Sequence, residues 1–188
     1  MSEKPSYLGL LNAIAVGELG GEVLFTEWAA ATPNDDVRAV LETVALREGE
    51  HAKSFAKRIN ELGYSVIPKE DADLPARCAI AGSDALTDCE KFERLGFNRP
   101  ASNTDIFAKF FDDVTMDVRT GELMGRYISE ERDSVRMLRA CFNAVAADDA
   151  GAADTSALEA RLDRIELALA ELAAATVGTS DGKVKAKR

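Results

Sequence analysis

The chain has 188 residues, and its 33 acidic and 23 basic residues give a net charge of -10. This length corresponds to one domain, or to one domain with an appendage, and is sufficient to bury a substantial core. The acidic balance argues against nucleic acid as a partner, because phosphate contacts require clustered Lys and Arg.

Three cysteines, Cys78, Cys89 and Cys141, stand at wide spacings and form no C-x-x-C pair. We therefore expect neither a zinc ribbon nor a rubredoxin-like iron centre within the chain. The apolar N-terminal segment is interrupted by Glu18 and Glu22, which is typical of neither a signal peptide nor a membrane span. We expect a cytoplasmic protein with no membrane partner.

Helical periodicity fills the stretches between the five prolines, and no convincing strand pattern occurs. The first helix is predicted from about Ser6 to Ala31. The second is predicted to have Thr32 as its N-cap and Pro33 as its first residue, and to end near Leu62. Because almost no loop separates the two helices, we expect them to form an antiparallel hairpin.

Residues 63–101 are predicted to form a long connection with one short helix, Asp84 to Leu95. A third helix is predicted from Ser102, where Asp105 completes a capping box. A turn at Thr120-Gly121, or alternatively a helix that continues through it, leads into a fourth helix. The stripe of this helix has spacings of three and four and consists of Leu123, Tyr127, Glu130, Asp133, Met137, Cys141 and Val145.

The segment 146–155 is rich in Ala, Asp and Gly and is predicted to be a loop. A fifth helix is predicted from Ser156, with Glu159 completing a capping box. Its apolar residues alternate at spacings of four and three, which is typical of a short coiled-coil seam, either packed on the bundle or paired with another subunit. The seam consists of Leu158, Leu162, Ile165, Leu169 and Leu172.

A candidate metal site is predicted from acidic residues on these apolar stripes. Glu48 and His51 lie one turn apart on the second helix, where an unpaired carboxylate would be costly. Glu18 lies on the first helix at about the same distance from the hairpin turn, so the two glutamates can face each other. Glu130 and Asp133 repeat the spacing on the fourth helix. Facing carboxylates and an imidazole in a helical bundle are typical of a pair of transition-metal ions.

Each of these groups also has a simpler explanation. Glu48 and His51 could form a buried hydrogen bond without a metal. Glu18 could pair with a neighbouring basic residue. Glu130 and Asp133 could pair with arginines at helical spacing. These arginines are Arg126, Arg132 and Arg136.

The pattern resembles the ferritin-like superfamily, in its rubrerythrin and di-iron carboxylate branch. That branch has a Glu on helix one, Glu-x-x-His on helix two, a Glu on helix three and Glu-x-x-His on helix four. Glu18 matches the first position, and Glu48 with His51 matches the second. Glu130 matches the Glu of the last motif, where Asp133 stands in place of His.

The resemblance covers about residues 6–148 and implies an all-α fold, a ferritin-like antiparallel four-helix bundle with a long crossover. A ligand on the third helix would fall near residue 111, at Asp112 or Asp113. An extra C-terminal helix would follow the bundle. We accordingly divide the chain into a bundle over residues 1–150, a coiled-coil-like helix over 151–178 and a disordered basic tail over 179–188.

The resemblance also implies a di-iron or dimanganese cofactor. The corresponding activity is that of an oxidoreductase, an oxidase or peroxidase, acting on O2, peroxide or a small substrate. The alternatives are ferritin-type iron oxidation and storage, or a bundle with a degenerate metal site that serves as a structural or interaction module. We expect a homo-oligomer, a dimer. Because the rubredoxin-like cysteines are missing, a redox reaction would need a separate electron-donor protein.

Overall fold

The computed structural model describes residues 4–99 and 112–179, the last helix without the side chains of residues 153, 157 and 168–179. These described residues form helices and connecting turns and contain no strand, so the all-α prediction is confirmed. The helices are α1 Leu8–Ala31, α2 Asp35–Glu61, α3 Leu74–Ala81, α4 Asp88–Leu95 and α5 Val118–Thr179.

The α1–α2 hairpin forms as predicted, but the cap of α2 differs from the prediction. Asn34 is the N-cap, and its side-chain oxygen accepts hydrogen bonds from two backbone N–H groups of the first turn at 3.0 and 3.1 Å. Thr32 instead donates its hydroxyl to Asp88 at 2.5 Å. Pro33 therefore lies before the helix and not at its first position.

Two apolar clusters form the core and lie on either side of a polar layer that crosses α1, α2 and α5. Full burial of each large side chain contributes about 1.5–3 kcal/mol. The cluster nearer the hairpin turn includes Leu24, Trp28, Leu41, Val44, Phe92 and Leu138. The other includes Leu11, Ile14, Phe55, Ile59, Met124 and Tyr127.

The connection after α2 contains two short helices, where the sequence predicted one. The helix α3 Leu74–Ala81 was missed, and α4 begins at Asp88 and not at Asp84. Thr87 starts α4 with a capping box that is completed by Glu90. Trp28 donates its indole N–H to Asp88 at 2.7 Å, which attaches α4 to the end of α1.

The predicted third helix falls largely outside the described residues, including its capping box at Ser102 and Asp105. Residues 112–117, which are described, are not helical, and a turn occurs at Val114-Thr115. The predicted turn at Thr120-Gly121 is wrong, because these residues lie inside α5.

Hydrogen bonds to Asp117 explain why α5 begins where it does. The Asp117 carboxylate accepts from the backbone N–H of Thr120 at 3.2 Å and from its hydroxyl at 2.7 Å. This is the usual arrangement of an N-cap carboxylate in the first turn of a helix.

The chain divides into two compact units, Met1–Val145 and Ala146–Arg188. The loop predicted at residues 146–155 is wrong, since this segment is helical. Ser156 is likewise inside α5, so it does not begin a helix with Glu159. Alanine, the strongest helix former, outweighs the aspartates and the one glycine of this segment.

Helix α1 is long and apolar enough to cross a membrane, as judged by length and composition alone. Its most apolar 18-residue window has a mean hydropathy of 1.5, and 39% of that window is buried inside the protein. Core helices of water-soluble proteins and signal sequences share this property, so it assigns no location by itself.

Candidate metal centre

The polar layer between the two apolar clusters contains four glutamates and the histidine, and we call this group the acidic cluster. Helix α1 supplies Glu18, α2 supplies Glu48 and His51, and α5 supplies Glu130 and Glu131. Glu18, Glu48 and His51 are only 7%, 9% and 3% exposed. Acidic groups therefore outnumber the one basic group in a layer that is largely shielded from water.

His51 lies at the centre of the acidic cluster, with carboxylates at both ring nitrogens. Nδ1 is 3.2 Å from Glu18 Oε2 and 3.4 Å from Glu131 Oε1. Nε2 is 2.8 Å from Glu130 Oε2. Burial alone would lower the pKa of His51, but these three carboxylates outweigh burial and raise it to about 10. In the absence of a metal, the imidazole is therefore a cation at neutral pH.

Glu48 faces Glu18 across the hairpin, as the heights of the two residues predicted. Burial, followed by the nearby charges of Glu18 and Glu131, raises the pKa of Glu48 to about 9. The carboxyl group fits because the facing residue on α1 is Gly21. A Cβ atom at Gly21 would lie 2.1 Å from Glu48 Oε2.

Tyr127 holds Glu18 in position. Its hydroxyl donates to Glu18 Oε1 at 2.9 Å, which leaves Oε2 to face the imidazole. The tyrosine ring also packs edge-on against His51, with ring centroids 5.0 Å apart. Burial and the nearby charge of Glu18 raise the pKa of Tyr127, so its hydroxyl keeps its proton and remains a donor.

Glu131 carries a buried oxygen for which no hydrogen bond exists. Its Oε1 is within 3.4 Å of His51 Nδ1, yet it has no hydrogen-bond partner, since Nδ1 lies closer to Glu18. Glu130 differs, because it accepts from Arg126 Nε at 2.9 Å as well as contacting the imidazole. A buried carboxylate oxygen that accepts no hydrogen bond is the kind of group that usually has an ion or a water beside it.

Asp133, one of the five predicted ligands, points away from the acidic cluster. Its carboxylate lies 2.8 Å from Arg47 and accepts from Arg136 at 3.0 Å. These hydrogen bonds, that from Arg47 first, lower the pKa of Asp133. Asp133 therefore pairs with arginines, which was the simpler alternative to metal binding.

The two candidates for a ligand on the third helix are also elsewhere. Asp113 accepts hydrogen bonds from the hydroxyls of Ser6 and Thr115, beside the beginning of α1. Asp112 is exposed. Glu18 is 12 residues along the chain from Ser6, or roughly 18 Å along a helix, so these aspartates do not reach the acidic cluster.

Glu131 was not among the ligands predicted from the sequence. Together with Glu18 and His51, it offers ligand atoms that all lie within 4.8 Å of one another. Glu131 belongs to a second run with helical spacing on α5, and the other four members of this run are all buried. The run consists of Met124, Ile128, Glu131, Ser134 and Leu138.

A comparison of the chain with protein-family models, with curated proteins and with solved structures found no match in any of the three. We therefore infer the function from the geometry of the acidic cluster and its surroundings.

Proposed function

We propose that the chain binds a redox-active divalent metal ion, iron or manganese, at the acidic cluster and acts as a ferritin-like non-haem oxidoreductase. The observation that carries this proposal is the Glu131 carboxylate, whose buried Oε1 has no hydrogen-bond partner. A cation beside this oxygen, shared with Glu18 and His51, would coordinate it directly, whereas the imidazole now lies 3.4 Å away without a hydrogen bond to it.

The donor set fits such an ion. Glu18, His51 and Glu131 each offer one ligand atom within 4.8 Å of the others, and Glu48 and Glu130 lie next to them. Carboxylate oxygens with an imidazole nitrogen suit iron and manganese better than the softer, thiolate-preferring ions. When bound, the metal would supply one-electron chemistry with O2, peroxide or a small substrate.

The protein itself would prepare the site for this ion. His51 would release a proton from one ring nitrogen, because only a neutral imidazole can act as a ligand. Tyr127 fixes the orientation of Glu18 by its 2.9 Å hydrogen bond. The two apolar clusters exclude bulk water and strengthen electrostatic interactions within the layer.

The ferritin-like part of the proposal is supported by the hairpin. Glu18 faces Glu48, and His51 follows Glu48 by one helical turn, as the family pattern requires. Asp133 and Asp113 give no support for a second metal position. We therefore propose one tightly held ion per chain rather than a pair.

A structural or interaction module without metal is the second candidate. One observation favours it: both ring nitrogens of His51 already contact carboxylates, so an imidazolium can hold the acidic cluster together. Ferritin-type iron storage is a further alternative. It requires a closed cage, which would appear as a very large particle on a sizing column.

Metal content distinguishes these candidates. Purified protein is loaded anaerobically with Fe(II) or Mn(II), passed over a desalting column and analysed for metal by elemental analysis. We expect about one ion per chain for the wild type, because the described residues contain one such set of donors. A protein that retains no metal, or a Glu131→Gln variant that retains as much as the wild type, would overturn the proposal.

Asp133→Asn is the matched control for Glu131→Gln. Both changes remove one carboxylate from α5, two residues apart, but Asp133 pairs with Arg47 and Arg136 outside the acidic cluster. We expect the control to keep the metal. If both variants lose it equally, the loss reflects the net charge of α5 and not ligation.

A further inference from the structure

A pocket of about 390 Å³ adjoins the acidic cluster. Glu48 and Glu131 line it on the cluster side. Its apolar lining includes Phe25, Phe97 and Leu138, which belong to or pack against the core cluster nearer the hairpin turn. Its volume is in the range of pockets that hold small organic ligands. A molecule bound there would lie in the same pocket as two residues of the acidic cluster, Glu48 and Glu131.

Three arginines also line this pocket: Arg77, Arg99 and Arg139. Arg77 lies 3.8 Å from Asp71. Arg139 donates to the backbone carbonyl oxygen of Arg99. Among the described residues, no carboxylate pairs with Arg99 or Arg139, so two guanidinium groups are available to a ligand. Their concentration here contrasts with the acidic character of the whole chain.

The turn after α4 places Arg99 at the pocket. Gly96 ends α4 with a φ of 81°, a left-handed conformation that favours glycine. The Arg99 side chain lies against this turn, where a Cβ atom at Gly96 would be 3.5 Å from Arg99 Nε. Gly96 and Arg99 thus lie in contact and line the pocket together.

We propose that this pocket binds a small organic monocarboxylate, with its carboxylate on Arg99 and Arg139 and its apolar body towards Phe25, Phe97 and Leu138. The binding rests on the pocket alone. The further role of this ligand as substrate rests on the proposed metal centre, which the pocket adjoins through Glu48 and Glu131.

The chemistry of the lining selects this ligand class. Guanidinium groups bind carboxylates through two parallel hydrogen bonds, and a neutral molecule would not balance the charge of the two arginines. A dianion such as phosphate would be repelled by Glu131, which also lines the pocket, more strongly than a monoanion, and it would leave the aromatic surface uncovered. A ligand with an apolar body and one negative charge suits both the arginines and the apolar lining.

The test is calorimetric titration of the metal-free, full-length protein with phenylacetate, phenylacetamide and inorganic phosphate. We expect phenylacetate to bind at least tenfold more tightly than the other two. Phenylacetamide has the same shape without the charge, and phosphate has the charge without the apolar body. Equal binding of phenylacetate and phenylacetamide, or tighter binding of phosphate, would overturn the proposed ligand class.

Substitution of the arginines tests the location of the ligand. Arg99→Gln and Arg139→Gln should each weaken phenylacetate binding at least tenfold. Arg136→Gln is the control, because Arg136 is on the same helix as Arg139 but is 70% exposed and pairs with Asp133. Thermal unfolding of each variant verifies that it is folded. Wild-type affinity in both pocket variants would refute the assignment.

Metal loading separates this inference from the proposed function. Arginine-dependent phenylacetate binding by a protein that holds no metal would support the pocket and refute the metal centre. Metal retention without phenylacetate binding would support the metal centre and refute the pocket.

For the substrate role, Co(II) is loaded in place of iron or manganese. We expect phenylacetate to change the visible spectrum of bound Co(II) in the wild type but not in Arg99→Gln, and an unchanged wild-type spectrum would refute that role.

Discussion

Two glycines on α1 allow the steric effect of a side chain beside Glu48 to be separated from the effect of alanine on helix propensity. In Gly21→Ala the new Cβ atom would lie 2.1 Å from Glu48 Oε2 and 2.9 Å from its carboxyl carbon, so the carboxyl group must move. In Gly17→Ala the new Cβ atom has nothing within 4 Å. Both changes gain about 0.5–1 kcal/mol of helix propensity.

We therefore expect Gly21→Ala to weaken metal binding at least tenfold, which corresponds to about 1.4 kcal/mol. Gly17→Ala should leave metal affinity unchanged and raise the free energy of unfolding. A fluorescence-competition titration with Mn(II) measures the first quantity, and chemical denaturation measures the second. Equal metal affinity in the two variants would show that the position of Glu48 does not matter to the ion.

The pKa values of His51 and Glu48 predict that the metal-free protein becomes less stable in alkaline solution. The pKa of His51 rises from its ordinary value of 6.5 to about 10, and the pKa of Glu48 rises from 4.5 to about 9. Both groups bind their protons more tightly in the folded chain. The stability that they contribute is complete below the unfolded values and is lost as pH rises through the folded ones.

We accordingly expect the thermal midpoint of the metal-free protein to fall between pH 7 and about pH 10, within the window set by these two groups. Glu48→Gln removes one of the titrating groups and should make the fall shallower. Differential scanning calorimetry at several pH values, with a chelator present, measures the thermal midpoint of the wild type and of the variant. A midpoint that increases over this range would contradict the protonated state assigned to His51.

At the scale of the helices, the relative height of Glu18 and Glu48 could be predicted because one short turn joins α1 and α2. Counting residues from that turn fixes how far along the hairpin each side chain lies. The cap at Asn34 could not be predicted in the same way. Thr32 was favoured because a proline follows it, although asparagine is the stronger N-cap residue. In the structure the Thr32 hydroxyl is bound by Asp88 from α4, a contact between residues far apart in sequence.

The choice of Asp133 over Glu131 on α5 was the main error, and its cause is physical. Two runs along this helix have spacings of three and four, and one contains Glu130 and Asp133 while the other contains Glu131. Periodicity cannot choose between them. The choice depends on partners from other helices: Arg47 of α2 attracts Asp133, and His51 of α2 receives Glu131.

A second polar contact between helices fixes the beginning of α5 against the hairpin. The guanidinium of Arg58, itself buried, donates to Asp117 at 2.8 Å and to Thr120 at 2.8 Å. Tyr7, before α1, donates to the same Asp117 carboxylate at 2.8 Å. No short turn joins α2 to α5. This network therefore positions α5 against the hairpin, as the hairpin turn positions α1 against α2.

At the scale of the whole molecule, the C-terminal unit leaves a run of apolar side chains with coiled-coil spacing in solvent. Leu158, Leu162 and Ile165 are 60%, 58% and 48% exposed. They belong to the predicted coiled-coil seam. In a parallel pair of such helices, Arg161 of one chain would lie beside Glu166 of the other, a favourable arrangement of flanking charges.

We therefore expect the chain to dimerise through this seam, and Leu162→Gln to weaken the dimer at least a hundredfold. A dimer buries two copies of Leu162, and each buried leucine contributes about 1.5–3 kcal/mol. Leu167→Gln is the matched control, since Leu167 is 63% exposed on the same helix but lies outside the seam. Sedimentation equilibrium over a range of concentrations measures both dissociation constants. Equal weakening by the two changes would show that association depends on general hydrophobicity, and a wild type that stays monomeric throughout would refute the seam as an interface.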